Sequence, residues 1–310
     1  MTYARAFRGA SRLGLATTVL MFGLIVIGSV VRTTGSGLAC PDWPLCEGRL
    51  VPPLEPHVLI EWFHRLVALV LGVLLAGTAG LTFARRELRV RLGALAALAL
   101  GLYLAQALLG ALTVWKLLSP AVVSSHLAVA LLLFSTLLTY TLVAQRESDP
   151  AAVDAPQRPA GLLPTFAIAT GLAYGQILLG GLVSTNHAGL ACPDWPTCGG
   201  SWFPPLEGLI GLQMLHRWGA YLLAGFLLYA AARARTAPDA GIRAGATMAL
   251  GLTLAQVALG ITSVFLGTPV WLSAAHLATA AAILAMLVAT TFRVAGLGAG
   301  AARLATAAAR

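Results

Sequence analysis

Four histidines stand at matched places in the two halves of this chain. His64 recurs as His216 at an offset of 152 residues, and His126 recurs as His276 at an offset of 150. Each lies one to two turns in from the same end of a long apolar stretch, so at about 1.5 Å rise per residue the four share one level. Ionisable groups inside such stretches are costly and mark function. Neutral imidazoles that face each other across a helical bundle suit a haem iron, which takes one ligand from each side of its ring. Zinc would want more donors. The simplest pairing is His64 with His126 and His216 with His276, giving two haem sites, although pairing across the halves stays open. Glu61 stands three residues before His64, on a neighbouring helical face and about 4.5 Å away along the axis. Its carboxylate can therefore reach the rim of a haem ligated by His64. The second half has Gln213 there, which cannot act as a base. The half with Glu61 is expected to do chemistry, and the half with Gln213 to hold a permanent cofactor. The competing role for Glu61 is an interfacial carboxylate stabilised by a helix N-terminus.

The elements that must carry these residues follow from composition. With 58% hydrophobic residues, 10% charged residues and a mean hydropathy of +0.84, the chain is expected to be an all-α integral membrane protein. Eight spans of about 20 apolar residues are predicted near 13–31, 58–82, 92–114, 121–144, 161–183, 208–231, 244–265 and 270–292. The first follows Arg5, Arg8 and Arg12 like a signal peptide, but its length and the absence of a small-residue cleavage site predict that it is retained. The net charge of +9 does not point to nucleic acid, because the basic residues sit in short loops between apolar spans. Fifteen of the twenty Lys and Arg residues cluster at the N-terminus, Arg85 to Arg91, Arg146 and Arg158, Arg233 to Arg243, and from Arg293 onward. The positive-inside rule makes these segments and both termini cytoplasmic, with loops 32–57, 115–120, 184–207 and 266–269 external.

The octapeptide GLACPDWP occurs at Gly37 to Pro44 and again at Gly189 to Pro196, so the chain is a duplication. An even number of spans per copy predicts two tandem four-helix bundles in the same orientation, related by a pseudo-twofold axis along the membrane normal. The expected units are residues 1–148, a polar linker at 149–160 and residues 161–310, the linker marked by Asp149, Pro150, Asp154, Pro156 and Pro159. A further echo runs through QALLGALT from Gln106, QILLGGLVS from Gln176 and QVALGITS from Gln256. These helices either pack closely through small residues and a hydrogen-bonded Gln, or make room for a large flat ligand.

Cys40 with Cys46, and Cys192 with Cys198, are expected to form a disulfide in each external loop; a redox role for the Cys40 and Cys46 thiols is the alternative. Arg65 and Arg217 follow the first histidine of each pair, where they either meet haem propionates or extend to the interface. His57 and His187 lie in outer loops without repeat partners and are expected to be solvated. Trp43, Trp62 and Trp195 are expected to anchor the interface.

These residues together resemble the haem A synthases, eight-span membrane enzymes built from two four-helix repeats. The resemblance runs from the first span to His276. It rests on EWFHR at Glu61 to Arg65, SSHL at Ser124 to Leu127, LHR at Leu215 to Arg217, AAHL at Ala274 to Leu277, and the paired loop cysteines. It implies oxidation of a ring methyl of haem O to a formyl group, giving haem A for terminal oxidases in the plasma membrane. It further implies that His64 and His126 receive the substrate haem, that His216 and His276 ligate a resident haem b which passes electrons, and that Glu61 is the catalytic carboxylate. A haem with two histidine ligands has no open iron position, so the expected mechanism works at the ring edge: Glu61 takes a proton or orients water, and the formyl oxygen comes from water. The implied partners are haem O, the lipid bilayer, an electron acceptor of unidentified kind and haem O synthase. Two readings of other classes remain: a di-haem cytochrome b that only transfers electrons, which leaves Glu61 and the cysteine loops without a purpose, and a transporter, which the spans favour less because they lack broken helices and buried charges.

Overall fold

The computed structural model describes residues 3–149 and 159–297. The linker residues Pro150, Asp154, Pro156 and Arg158, together with Arg303 and Arg310, lie outside the described residues. Among the described residues eight long helices follow one another: α1 (Tyr3–Thr33), α2 (Pro56–Ala84), α3 (Arg86–Trp115), α4 (Pro120–Ser148), α5 (Leu162–Thr185), α6 (Gly208–Ala234), α7 (Ala240–Phe265) and α8 (Val270–Gly296). Seven of them are long and apolar enough to cross a membrane. The exception to the expected eight is α6. It is 27 residues long, but it carries Gln213, His216 and Arg217 within two turns, and these polar side chains lower its mean hydropathy.

Most of the predicted spans are shorter than the helices because hydropathy stops at the first charges while backbone hydrogen bonding runs on to a cap. Thus α1 starts at Tyr3 and continues through Arg5, Arg8 and Arg12, and α3 starts at Arg86. Pro56 and Pro120 open α2 and α4, where a missing N–H costs nothing. The Asp239 side chain caps α7 by accepting from Gly241 N at 2.6 Å. Helices α3 and α7 close alike. Leu118 N reaches Thr113 O at 2.8 Å and Thr268 N reaches Ser263 O at 2.7 Å, with left-handed backbone at Leu117 (φ 47°) and Gly267 (φ 74°).

The helix ends sort into two groups. The loops with the cysteines share one end with the α3–α4 and α7–α8 turns: Gly37 lies against Leu118, Gly189 against Thr268, and Ser124 Oγ is 3.3 Å from Thr185 Oγ1. The arginines gather at the other end, where Arg91 pairs with Glu147, Arg146 stacks over Phe292, and Arg293 lies 3.8 Å from Asp239.

Packing pairs recur between the halves. Helix α1 packs on α2 and α4, and α3 on α4; α5 packs on α6 and α8, and α7 on α8. The halves meet where α1 and α4 face α5 and α8, through a shared core that includes Met21, Leu131, Phe134, Ile177 and Leu284. In lipid, apolar burial does not by itself drive helices together, so close approach and polar contacts between helices matter more. Thr17 Oγ1 lies 3.3 Å from Thr78 Oγ1, Thr18 Oγ1 3.2 Å from Thr141 Oγ1, and Thr82 Oγ1 2.7 Å from the Tyr140 hydroxyl. Gly14 makes this approach feasible: a Cβ there would stand 2.9 Å from both Thr141 and Tyr140.

Candidate functional site

Each of the four histidines is half-buried and packs against a glycine of the preceding helix. A Cβ on Gly28 would lie 3.4 Å from His64 Cε1, and one on Gly110 3.4 Å from His126 Cε1. In the second half the fit is closer, 2.8 Å from Gly180 to His216 Cε1 and 3.1 Å from Gly260 to His276 Cε1. Three of these glycines belong to the Gln-x-x-x-Gly echo, which therefore makes room for an imidazole as well as for a neighbouring helix. The glycine role was missed in the sequence, although the echo was its signal.

The structure brings His216 and His276 together within the second half. The His216 and His276 rings are 6.4 Å apart, centre to centre. A metal–nitrogen bond of about 2 Å on each side, plus about 1 Å from each nitrogen to its ring centre, puts two imidazoles about 6 Å apart across a single ion. His126 stands within electrostatic reach of His64 in the first half. The buried Nδ1 atoms of His64, His126 and His276 have no hydrogen-bond partner among the described residues. The His216 and His276 rings stand at iron-spanning distance and fit a haem between them, and in the first half His64 and His126 each keep a buried ring nitrogen free for a ligand. The glutamines divide. Gln106 Nε2 lies 3.2 Å from His126 Nε2, whereas Gln176 Nε2 lies 3.0 Å from His216 Nδ1 and donates to His216 O at 2.8 Å. Gln256 is half-buried with its Oε1 unpartnered among the described residues.

Glu61 is buried, 4% exposed, at the junction of α2 and the first cysteine loop. Its Oε2 accepts from Cys40 N at 2.8 Å and its Oε1 from Arg65 Nη2 at 2.6 Å, one turn along the helix. Arg65 also donates from Nη1 to the carbonyls of Asp42 and Leu45, both at 2.6 Å, and from Nη2 to Cys40 O at 3.1 Å. Arg217 repeats the clasp on Asp194 O, Thr197 O and Cys192 O at 2.8, 2.8 and 2.6 Å. The planar fork of a guanidinium suits three converging carbonyls, which the single point charge of a lysine would not. These Nη donors are thus committed to the cysteine loops and, for Arg65, to Glu61. Gln213 is also buried, but it donates to Gly189 O at 3.2 Å and leaves its Oε1 unpartnered among the described residues.

The loops themselves are built twice to one plan. Disulfides join Cys40 to Cys46 and Cys192 to Cys198, with Cα atoms 4.7 and 4.9 Å apart. Asp42 accepts from Glu47 N and Gly48 N at 2.6 and 2.7 Å, and Asp194 from Gly199 N and Gly200 N at 3.0 and 3.2 Å. These backbone N–H groups, with the Thr197 hydroxyl, hold the Asp194 carboxyl down at about 2; the same kind of donors lower Asp42. The sequence had singled out neither aspartate, although both lie inside the repeated octapeptide. We expect mass spectrometry without reductant to find both cysteine pairs oxidised, and a Cys192→Ser, Cys198→Ser variant to lose about 2 kcal/mol from the unfolded-chain constraint. Free thiols at either pair before reduction would contradict this.

Trp62 Nε1 donates to Leu50 O at 2.9 Å, Trp43 meets Trp115 edge-on at 6.3 Å, and Trp195 is 39% exposed. His187 is exposed. His57 is exposed too, but it is not merely solvated as expected: its Nδ1 lies 2.9 Å from the buried hydroxyl of Ser36.

Residues 11–288 match the family described as cytochrome oxidase assembly protein. Among curated proteins, the haem A synthase of Shewanella oneidensis is 31% identical over 88% of this chain and 94% of its own length. That of Paracoccus denitrificans is 32% identical over 90% of this chain and 86% of its own. The haem A synthase of Symbiobacterium thermophilum is 33% identical over 83% of this chain and 85% of its own.

Proposed function

The chain belongs to the haem A synthase family of cytochrome oxidase assembly proteins, and on that premise we propose that it oxidises the ring methyl of haem O to a formyl group, giving haem A for terminal oxidases. The observation that carries the division of labour is the break in the repeat: buried Glu61 stands three residues before His64, where the other half has Gln213. His64 and His126 receive haem O as substrate. His216 and His276 ligate a resident haem b, which when bound supplies one-electron transfer. Gly180 and Gly260 set those two rings at their spacing, and Gln176 fixes the His216 ring from its Nδ1 side.

Glu61 is the base. A carboxylate has about four lone-pair sites, so with one donor on each oxygen it can still accept a proton or orient a water toward the methyl carbon. Cys40 N and Arg65 fix where those oxygens point. Arg65 in turn ties the carboxylate to the disulfide-closed loop, which roofs the site against bulk water. The formyl oxygen comes from water. An electron acceptor takes the electrons, and haem O synthase supplies the substrate. Pigment extraction from a host that makes haem O, with and without this chain, tests the reaction: haem A should appear only with it. Two bound haems and no haem A would identify a cytochrome that only transfers electrons.

All eight helices span the plasma membrane in this reading, α6 included, as two four-helix units related by a pseudo-twofold axis along the membrane normal. The arginine end is cytoplasmic with both termini, and the cysteine loops are external. Reporter fusions after Arg89 and Arg235 are expected to read cytoplasmic, and fusions near Glu47 and Gly200 external. The opposite pattern would overturn the orientation.

A further inference from the structure

The duplication breaks at more than Glu61. Offset by 152 residues, Thr34, Ser36 and His57 of the first half correspond to Asn186, Ala188 and Leu209 of the second. In the first half these three form a hydrogen-bonded chain. Thr34 Oγ1 donates to Val30 O at 2.7 Å and lies 2.7 Å from Ser36 Oγ, which lies 2.9 Å from His57 Nδ1. Counting donors gives the chain a direction. Since the Thr34 proton goes to the Val30 carbonyl, Thr34 can only accept from Ser36, so Ser36 accepts from His57. His57 therefore carries its proton on Nδ1 and presents the Nε2 lone pair at the exposed end of α2. The same loop strand then steps along that helix. Ser36 meets His57, Cys40 N meets Glu61 one turn further in, and Cys40 O meets Arg65 one turn beyond. His57 and Glu61 are i and i+4, neighbours on one helix face.

We propose that His57, oriented by Ser36 and Thr34, is the proton acceptor through which Glu61 discharges to the aqueous face at the cysteine end. This rests on the reading of Glu61 as the base. Forming a formyl group from a methyl group and water releases four protons and four electrons; the electrons leave to a one-electron acceptor, and a buried carboxylate must shed each proton before it can take the next. The transfer runs from the Glu61 carboxyl to His57 Nε2, and from the imidazolium to external water or buffer. Only the half that carries the carboxylate has this outlet.

The test uses the full-length chain in a host that makes haem O, with the ratio of haem A to haem O as readout. His57→Leu, which installs the residue of the second half, is expected to lower conversion at least about tenfold with both haems still bound. His57→Gln, which keeps a donor for Ser36 but has no base, is expected to be equally slow. External 2-methylimidazole, a diffusible base hindered as an iron ligand, is expected to restore His57→Leu but not Glu61→Gln. Wild-type conversion by His57→Leu or His57→Gln, or failure of the base to restore His57→Leu, overturns the relay. Full conversion by Glu61→Gln would instead overturn the reading of Glu61 itself.

Discussion

Glu61→Gln is expected to reduce conversion of haem O to haem A by at least about a hundredfold, the low end for loss of a general base, while both haems still bind. The fold supplies its own control for this substitution. Gln213 already occupies the matching place in the second half, buried to the same 4%, beneath a disulfide-closed loop clasped by an arginine. The amide is therefore compatible with this backbone and this burial. What Glu61→Gln removes is the negative charge facing Arg65 and the basic oxygen, and Arg65 retains three loop carbonyls as acceptors. A carboxylate that only holds the loop would be replaced with little loss. Wild-type haem A yield from a stably inserted Glu61→Gln protein would show that the group is structural.

Replacing either His216 or His276 with alanine is expected to remove the low-spin haem proposed for the second half from the purified protein. Haem content should fall at least about tenfold, given that losing even the partners of metal ligands costs 10- to 100-fold. Replacing His64 or His126 should leave that haem in place and stop turnover. Glycine gives an independent route to the same result. A Cβ at position 180 stands 2.8 Å from His216 Cε1, so Gly180→Leu must displace the ring without removing it. It should reproduce the spectrum of His216→Ala. Equal loss of haem b from both histidine pairs would break the assignment of the halves.

Much of the site was legible because its residues are rare where they occur. Four histidines, a glutamate and two arginines stand out in a chain that is 10% charged, and an exact internal repeat aligns them without any second sequence. The membrane class and the helix count follow from long apolar runs, which only helices or closed barrels can bury in lipid. The less legible features involve residues whose types are common. Gly28, Gly110, Gly180 and Gly260 each face a histidine; the glutamine echo marks the last three but does not say what they face, and among 33 glycines nothing local sets Gly28 apart. Asp42 and Asp194 look like ordinary turn residues until their backbone donors are seen.

The sequence by itself determined the doubling of the site: four histidines at matched places, a carboxylate in one half where the other has an amide, and a cysteine pair in each repeated loop. Spacing along one helix suffices for Glu61 and His64, because three residues on a helix have only one relative placement. Tertiary structure alone decided what depends on separate segments meeting. That His216 faces His276 at 6.4 Å, that Arg65 and Arg217 clasp loop carbonyls, and that His57 is tied to Ser36 are contacts between residues 20 to 60 positions apart. Local propensity carries no information about such distances. They are set by how closely the helices approach, and that approach is governed by where glycine leaves room and where a buried donor must find its acceptor.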